Sequence, residues 1–346
     1  MSFSFLGGRL TPKQDFYSAP SSHSLVHYKA ISQVLEEWMA NVHRLQLAEM
    51  SVFHLTLLDS VLYHFSTRLI FEPEIDAIWT SFPWNALAKY VEAWDDESRD
   101  PRTTPRVLPV VGKTPPTLFF LISQITWLSR QLASSSHTTS DLARQCQTTL
   151  EEIEEAHFRL HGKCSAVLQD GAIKPVISNG DIAAELYFLA LRIYIGKVLD
   201  PQKTRTDSAA IHLSLINGFA LLNGYDASEP CSQVICWPLI ILGCAACPLN
   251  LAEARGQGTD SIYTQTRMQM RRLIREKLLE IWQLSLSGFV RRTANCLDKV
   301  WNLHSSLHRF QSSTDDRFRS KYSSLSEKYD GLSALVSKKG LASLQD

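Results

Sequence analysis

The sequence predicts an all-α protein built as a large irregular helical array. Three observations carry that expectation: apolar residues recur at three- and four-residue spacing through most of the chain, no segment alternates with the two-residue period of a half-buried strand, and no repeat of about 20 to 50 residues is present. At 346 residues, with 45% apolar content, the chain can bury a substantial core.

The elements follow in order. Residues 1–22 mix Gly, Pro, Ser and Lys without periodicity and read as a flexible N-terminal tail. Between His23 and Gln46, the residues Leu25, Tyr28, Ile31, Leu35, Trp38, Met39 and Val42 share one helical face, and Val52 to Ile70 behaves similarly, so an antiparallel helical pair is expected. Residues 93–116 are rich in proline and charge, which predicts a long loop. Thr117 to Leu132 resumes as an apolar helix. Ser140 is the expected cap of the next one, whose stripe of Leu142, Cys146, Leu150, Ile153, His157 and Leu160 opposes a wet side of glutamates, with Gly162 as its stop. Asp181 is the expected cap of IAAELYFLALRIYIGKVL, which is apolar nearly all round and therefore central. Ala209 to Leu222 should end on Asn223-Gly224. The helical domain is expected to span 23–307. Residues 308–346 are rich in Ser and charge and predict a polar C-terminal segment with one short peripheral helix over 324–336.

Charge and composition exclude several classes. Lys plus Arg and Asp plus Glu both number 35, so the chain lacks the basic excess of an autonomous nucleic-acid binder. The apolar run ICWPLIILGCAAC is far short of the ~20 residues that span a bilayer. No signal-peptide pattern and no Asn-x-Ser/Thr sequon occurs, and the seven cysteines lie mostly within apolar helical patterns, which points to buried free thiols in a reducing compartment.

No catalytic constellation, cofactor motif or metal site is read from the sequence. Asp95, Asp96, Glu97 and Asp100 form one acidic cluster, and the spacing of Asp96 and Asp100 invites comparison with the Mg-binding motif of all-α terpene cyclases. The partner motif of those enzymes is missing and Pro101 ends any helix there, so a solvated loop is the simpler reading. Cys244 and Cys247 make a Cys-x-x-Cys inside an apolar helix, where core packing is expected rather than zinc or redox chemistry. Arg267, Arg271, Arg272 and Arg275, with Lys277 nearby, give a basic run opposite the apolar Met270, Leu273, Ile274, Leu278, Ile281 and Trp282. That run reads as the wet face of a helix, and its functional reading is a contact to DNA phosphate or to an acidic partner, extended by Arg291 and Arg292.

The ordered string from Cys231 to Trp301 is the most specific part of the chain. Cys236-Trp237-Pro238-Leu239 with its apolar helix, the arginine helix from Arg267 to Trp282 and the ending Leu297 to Trp301 resemble the C-terminal part of the fungal-specific regulatory domain of Zn2Cys6 transcription factors. DIAAELYFLALRIYIGKVL resembles its central helix. The resemblance implies a nuclear fungal regulator of a metabolic gene set, of the secondary-metabolite kind, with no enzymatic activity. A zinc cluster needs six thiolates in about 30 residues, and the first cysteine here is Cys146. The expectation is therefore a regulator or co-regulator that works through other transcription regulators or a DNA-bound partner, compatible with a homo- or heterodimer, with weak or no direct DNA binding and no membrane association; a diverged regulator with another DNA-contact surface and a truncated gene product stay open beside it. A helical scaffold or effector-binding protein and an isoprenoid cyclase using Asp96 and Asp100 stay open as alternatives.

Overall fold

In the computed structural model of the protein, residues 22–40, 50–99, 114–134, 139–166, 178–248, 262–311, 330–336 and 341 are described. They form helices joined by turns, with no strand among the described residues. The first two helices are α1 (Ser22–Ala40) and α2 (Val52–Leu69), the latter capped by the Ser51 hydroxyl, which accepts from the His54 N–H. A 3-10 helix, Pro73–Ser81, leads into α3 (Trp84–Arg99). Then come α4 (Pro116–Ser134), α5 (Thr139–Ala166), α6 (Asn179–Leu199), α7 (Ala209–Gly224) and α8 (Cys236–Ala245). Two long helices, α9 (Ile262–Ser285) and α10 (Gly288–Gln311), precede a 3-10 turn at Gly331–Ala334.

The core runs from α2 through α4 and α6 to α8 and α10, with α5 and α7 flanking α6 and α9 covering α7. The central place of α6 follows from its apolar circumference: Leu186, Tyr187, Phe188, Leu191, Tyr194 and Ile195 are all buried. Its tyrosines keep partners for their hydroxyls, Tyr187 donating to the Val234 carbonyl at 2.6 Å and Tyr194 meeting Ser129 at 2.9 Å. Trp237 of α8 stacks on Tyr187, the ring centroids 5.8 Å apart. Trp301 of α10 donates to the Gly243 carbonyl at 2.8 Å, and the absence of a side chain at Gly243 lets Leu297 press onto α8.

A second cluster fills the N-terminal side. Phe65 stacks on Phe82, Trp79 stacks on Trp127, and Trp84 closes the group with its indole N–H on the Trp79 carbonyl. Tyr28 of α1 donates to the His64 carbonyl of α2 at 3.1 Å, while the main neighbours of α1 are the 3-10 helix and α3.

Several boundaries differ from the sequence expectation. The loop expected from residue 93 begins later, because α3 continues through the acidic cluster to Arg99, and 100–113 lie outside the described residues. Its charge is neutralised locally: Asp95 accepts from Arg159 and from the Thr117 hydroxyl, each at 2.8 Å. Helix α5 passes Gly162 and ends at Ala166, which is reasonable because one helical glycine costs only about 1 kcal/mol. The cap of α6 is Ser178 rather than Asp181. Ser178 accepts from the Asp181 N–H at 3.2 Å while Asp181 accepts from the Ser178 N–H at 3.1 Å, a reciprocal capping box. Ser140 lies within the first turn of α5, Asn223 and Gly224 belong to α7, and α10 continues ten residues past Trp301.

The largest correction concerns the C-terminus. The core does not end near Leu307, and the short helix is not peripheral: Gly331, Leu332, Ala334, Leu335 and Leu341 are buried, and the turn packs on α8 and α6. Lys197 of α6 meets Asp330 at 3.0 Å with both side chains under 5% exposed, and also donates to the Pro201 carbonyl. The Leu341 N–H reaches the Ile70 carbonyl at 3.2 Å, so this segment touches both clusters. Of the expected tail over 1–22, Ser22 already begins α1, and residues 1–21 lie outside the described residues.

Candidate functional site

The basic run of α9 is split by the helix rather than presented as one surface. Positions 267, 271, 274, 278 and 281 follow helical spacing, so Arg267 and Arg271 stand in the same stripe as Ile274, Leu278 and Ile281 and are buried with them. That corrects the wet-face reading of these two residues, where residue type outweighed spacing. Arg272 and Arg275 are on the outside, as expected, and each is engaged: Arg272 pairs with Glu276 at 2.8 Å, and Arg275 pairs with Asp298 of α10 at 3.1 Å while lying 4.7 Å above the Trp301 ring. Lys277 donates to the Tyr225 carbonyl and to Glu280. Arg292 does not extend this face. It ion-pairs with the buried Glu72 at 2.6 Å and lies over the Phe71 ring at the end of α2.

The cysteine motif is part of the core. Cys244 and Cys247 are fully buried, and burial pushes the thiols of Cys236, Cys244 and Cys296 up, that of Cys296 to about 12. Thiols held neutral in this way neither attack electrophiles nor bind metal at neutral pH. Asp96 is exposed on α3 and Asp100 lies outside the described residues. Among the described residues no group of three His, Cys, Asp or Glu side chains could hold a metal ion. No described helix is long and apolar enough to cross a membrane.

What the sequence did not reveal is a cavity of about 450 Å³ where α2, the turn at 231–234 and the start of α10 meet. Helix α2 contributes Tyr63, Thr67, His64 and Arg68, two adjacent i, i+4 pairs that put polar groups at the edge of an otherwise apolar helix. Cys231, with φ 65, takes the left-handed conformation that reverses the chain into Gln233 and Val234. The third wall is the first turn of α10, with Ser287, Gly288, Phe289 and Arg292. His64 is exposed at the cavity rim, and the desolvation of its inner side, helped by the Arg68 charge, lowers its imidazole to about 4, which leaves it neutral at physiological pH. Burial raises the Tyr63 hydroxyl well above its ordinary value. The only clue in the sequence was the interruption of α2 by His64 and Arg68, because α2 lies more than 150 residues before the 231–234 turn, which itself lies about 50 residues before the start of α10.

Neither a curated protein nor a solved structure matches the chain. The fungal-specific transcription factor domain matches residues 93–313, from the second half of α3 to the end of α10 and over half the sequence. The match includes α6, the buried α8 with its Trp237 stack, and the α9–α10 pair locked by Arg275, Asp298 and Trp301. On that evidence the chain belongs to the fungal-specific transcription factor domain family, and it is a fungal transcriptional regulator.

Proposed function

We propose that the protein acts in the nucleus as a regulator or co-regulator of a metabolic gene set of the secondary-metabolite kind, reaching DNA through a protein partner. Family membership supports the regulatory role. The observation that carries the mode of action is the state of α9: two of its arginines are buried and its exposed cations are matched by Glu276, Glu280 and Asp298, which leaves little free charge to neutralise phosphates. The protein's partners are other transcription regulators or a DNA-bound protein, and a homo- or heterodimer fits the same reading.

Deletion of the gene followed by transcript profiling tests the role, and unchanged expression of pathway genes would remove it. A fluorescent fusion that stays outside the nucleus would remove the localisation. For the mode of action, a mobility-shift titration with the purified protein should show no retarded DNA at moderate salt. A sequence-specific shift by the protein alone would replace the partner reading with direct binding.

A further inference from the structure

We propose that the cavity between α2, the 231–234 turn and the start of α10 binds a small amphipathic monocarboxylate, its anionic end at Arg68 and its apolar body against Phe289 and Val234. This inference concerns ligand binding and does not depend on how the protein reaches DNA.

The charge count selects the anion. Two guanidinium groups, Arg68 and Arg292, face the cavity, and Arg292 is neutralised by Glu72 at 2.6 Å. Arg68 has no carboxylate within ion-pair distance among the described residues; it is half-buried and touches the Tyr28 hydroxyl, which occupies only part of its five-donor fork. His64 adds no charge at neutral pH. One uncompensated cation remains. It suits a single carboxylate, whose planar pair of oxygens accepts two parallel guanidinium bonds, whereas a phosphate dianion would bring a second charge without a partner.

Two further features agree. Ser287 and Gly288 place the N-terminal end of the 24-residue α10 at the wall, where first-turn N–H groups lack helical acceptors and the helix dipole favours negative charge. The remaining wall is apolar at the half-buried Phe289, held edge-on by Phe71, with Val234 and Tyr63 buried behind it. A volume near 450 Å³ falls in the range used by metabolite-sized ligands. The class is thus an aromatic or branched organic acid with one ionised group.

The test uses the full chain and three probes: sodium 4-phenylbutyrate, its neutral amide, and inorganic phosphate. Titration calorimetry should show the acid binding at least about tenfold more tightly than either of the others, and Arg68→Gln should weaken the acid by about tenfold or more. Saturation with the acid should also slow alkylation of Cys231 by iodoacetamide, followed by peptide mass spectrometry, because that exposed thiol sits at the cavity. No heat of binding with the acid, equal binding of acid and amide, tighter binding of phosphate, or an unprotected Cys231 would each overturn the proposal. Should Arg68→Gln fold poorly, Arg68→Lys keeps the charge without the fork. The acid-against-amide comparison on the unaltered protein decides regardless.

Discussion

The C-terminal end of α6 and the cavity beside α2 each hold a cation, yet they treat it in opposite ways. Lys197 is closed in on every side, with Asp330 at 3.0 Å and the Pro201 carbonyl at 2.7 Å taking up its donors. Arg68 has a hydroxyl on one side and open cavity on the other. A cation held between two acceptors inside the protein fixes where chain segments lie, and substituting it is a matter of stability. A cation left half satisfied at a concave wall has bonding capacity to offer a visitor, and substituting it is a matter of recognition. The contrast separates architecture from chemistry within one helical array.

Breaking the closed pair should give the largest effect. Lys197→Met leaves Asp330 buried without its cation and is expected to cost about 3 to 5 kcal/mol, whereas Lys197→Met with Asp330→Leu should recover most of that loss. Urea denaturation checks both, and a single variant as stable as the parent would mean that the pair does not organise the C-terminal turn. Gly331→Ala comes next. Its new methyl would land on the Cys244 carbonyl and on Cys247, backbone and core atoms that have no room to move, so a loss of about 1 to 3 kcal/mol is expected. Gly243→Ala meets only the Leu297 side chain and should cost less, a ranking that thermal melts can reverse or uphold.

The pH responses of the two regions should also differ. Cys236, Cys244 and Cys296 are raised by burial, so their folded values lie above their unfolded ones. Their contribution is complete below the ordinary thiol value of about 8.5 and is lost as pH rises past it, because the unfolded chain can release protons that the core retains. Denaturant midpoints should therefore decline on the alkaline side, and Cys244→Ala should flatten part of that decline. The smallest effect belongs to the cavity. His64 should titrate near 4 by NMR against an ordinary value of about 6.5, and Arg68→Gln should move the midpoint upward with little change in stability. A midpoint near the ordinary value in the parent protein would show that the ring is not desolvated there.

Much of the architecture was legible because period and residue type agreed. Leu186, Leu191 and Ile195 mark α6 as central by apolarity alone, and the string from Cys236 to Trp301 gave three helices in the right order. Where the two signals disagreed, type misled. Arg267 and Arg271 looked like solvent residues although their spacing from Ile274 and Leu278 put them inside, and the proline-rich stretch hid the fact that α3 stays helical until Arg99. The closing turn was illegible for another reason: Leu332, Leu335 and Leu341 are too sparse to show a period, and the residues that Leu341, Asp330 and Gly331 meet, Ile70, Lys197 and Cys244, are distant in sequence. The cavity shares that difficulty, since no local pattern records that Arg68 and Phe289 face a common space.

The turn that joins Lys197, Cys244 and Ile70 has a practical consequence for genetics. Serial deletion from the 3′ end is a usual way to map an activation segment, and a stop codon placed anywhere between 311 and 330 would remove the lid over α8 together with its anchor to α2. Loss of reporter signal in such an allele would record a collapsed protein, so point substitutions on the outer faces are the sound way to map contacts.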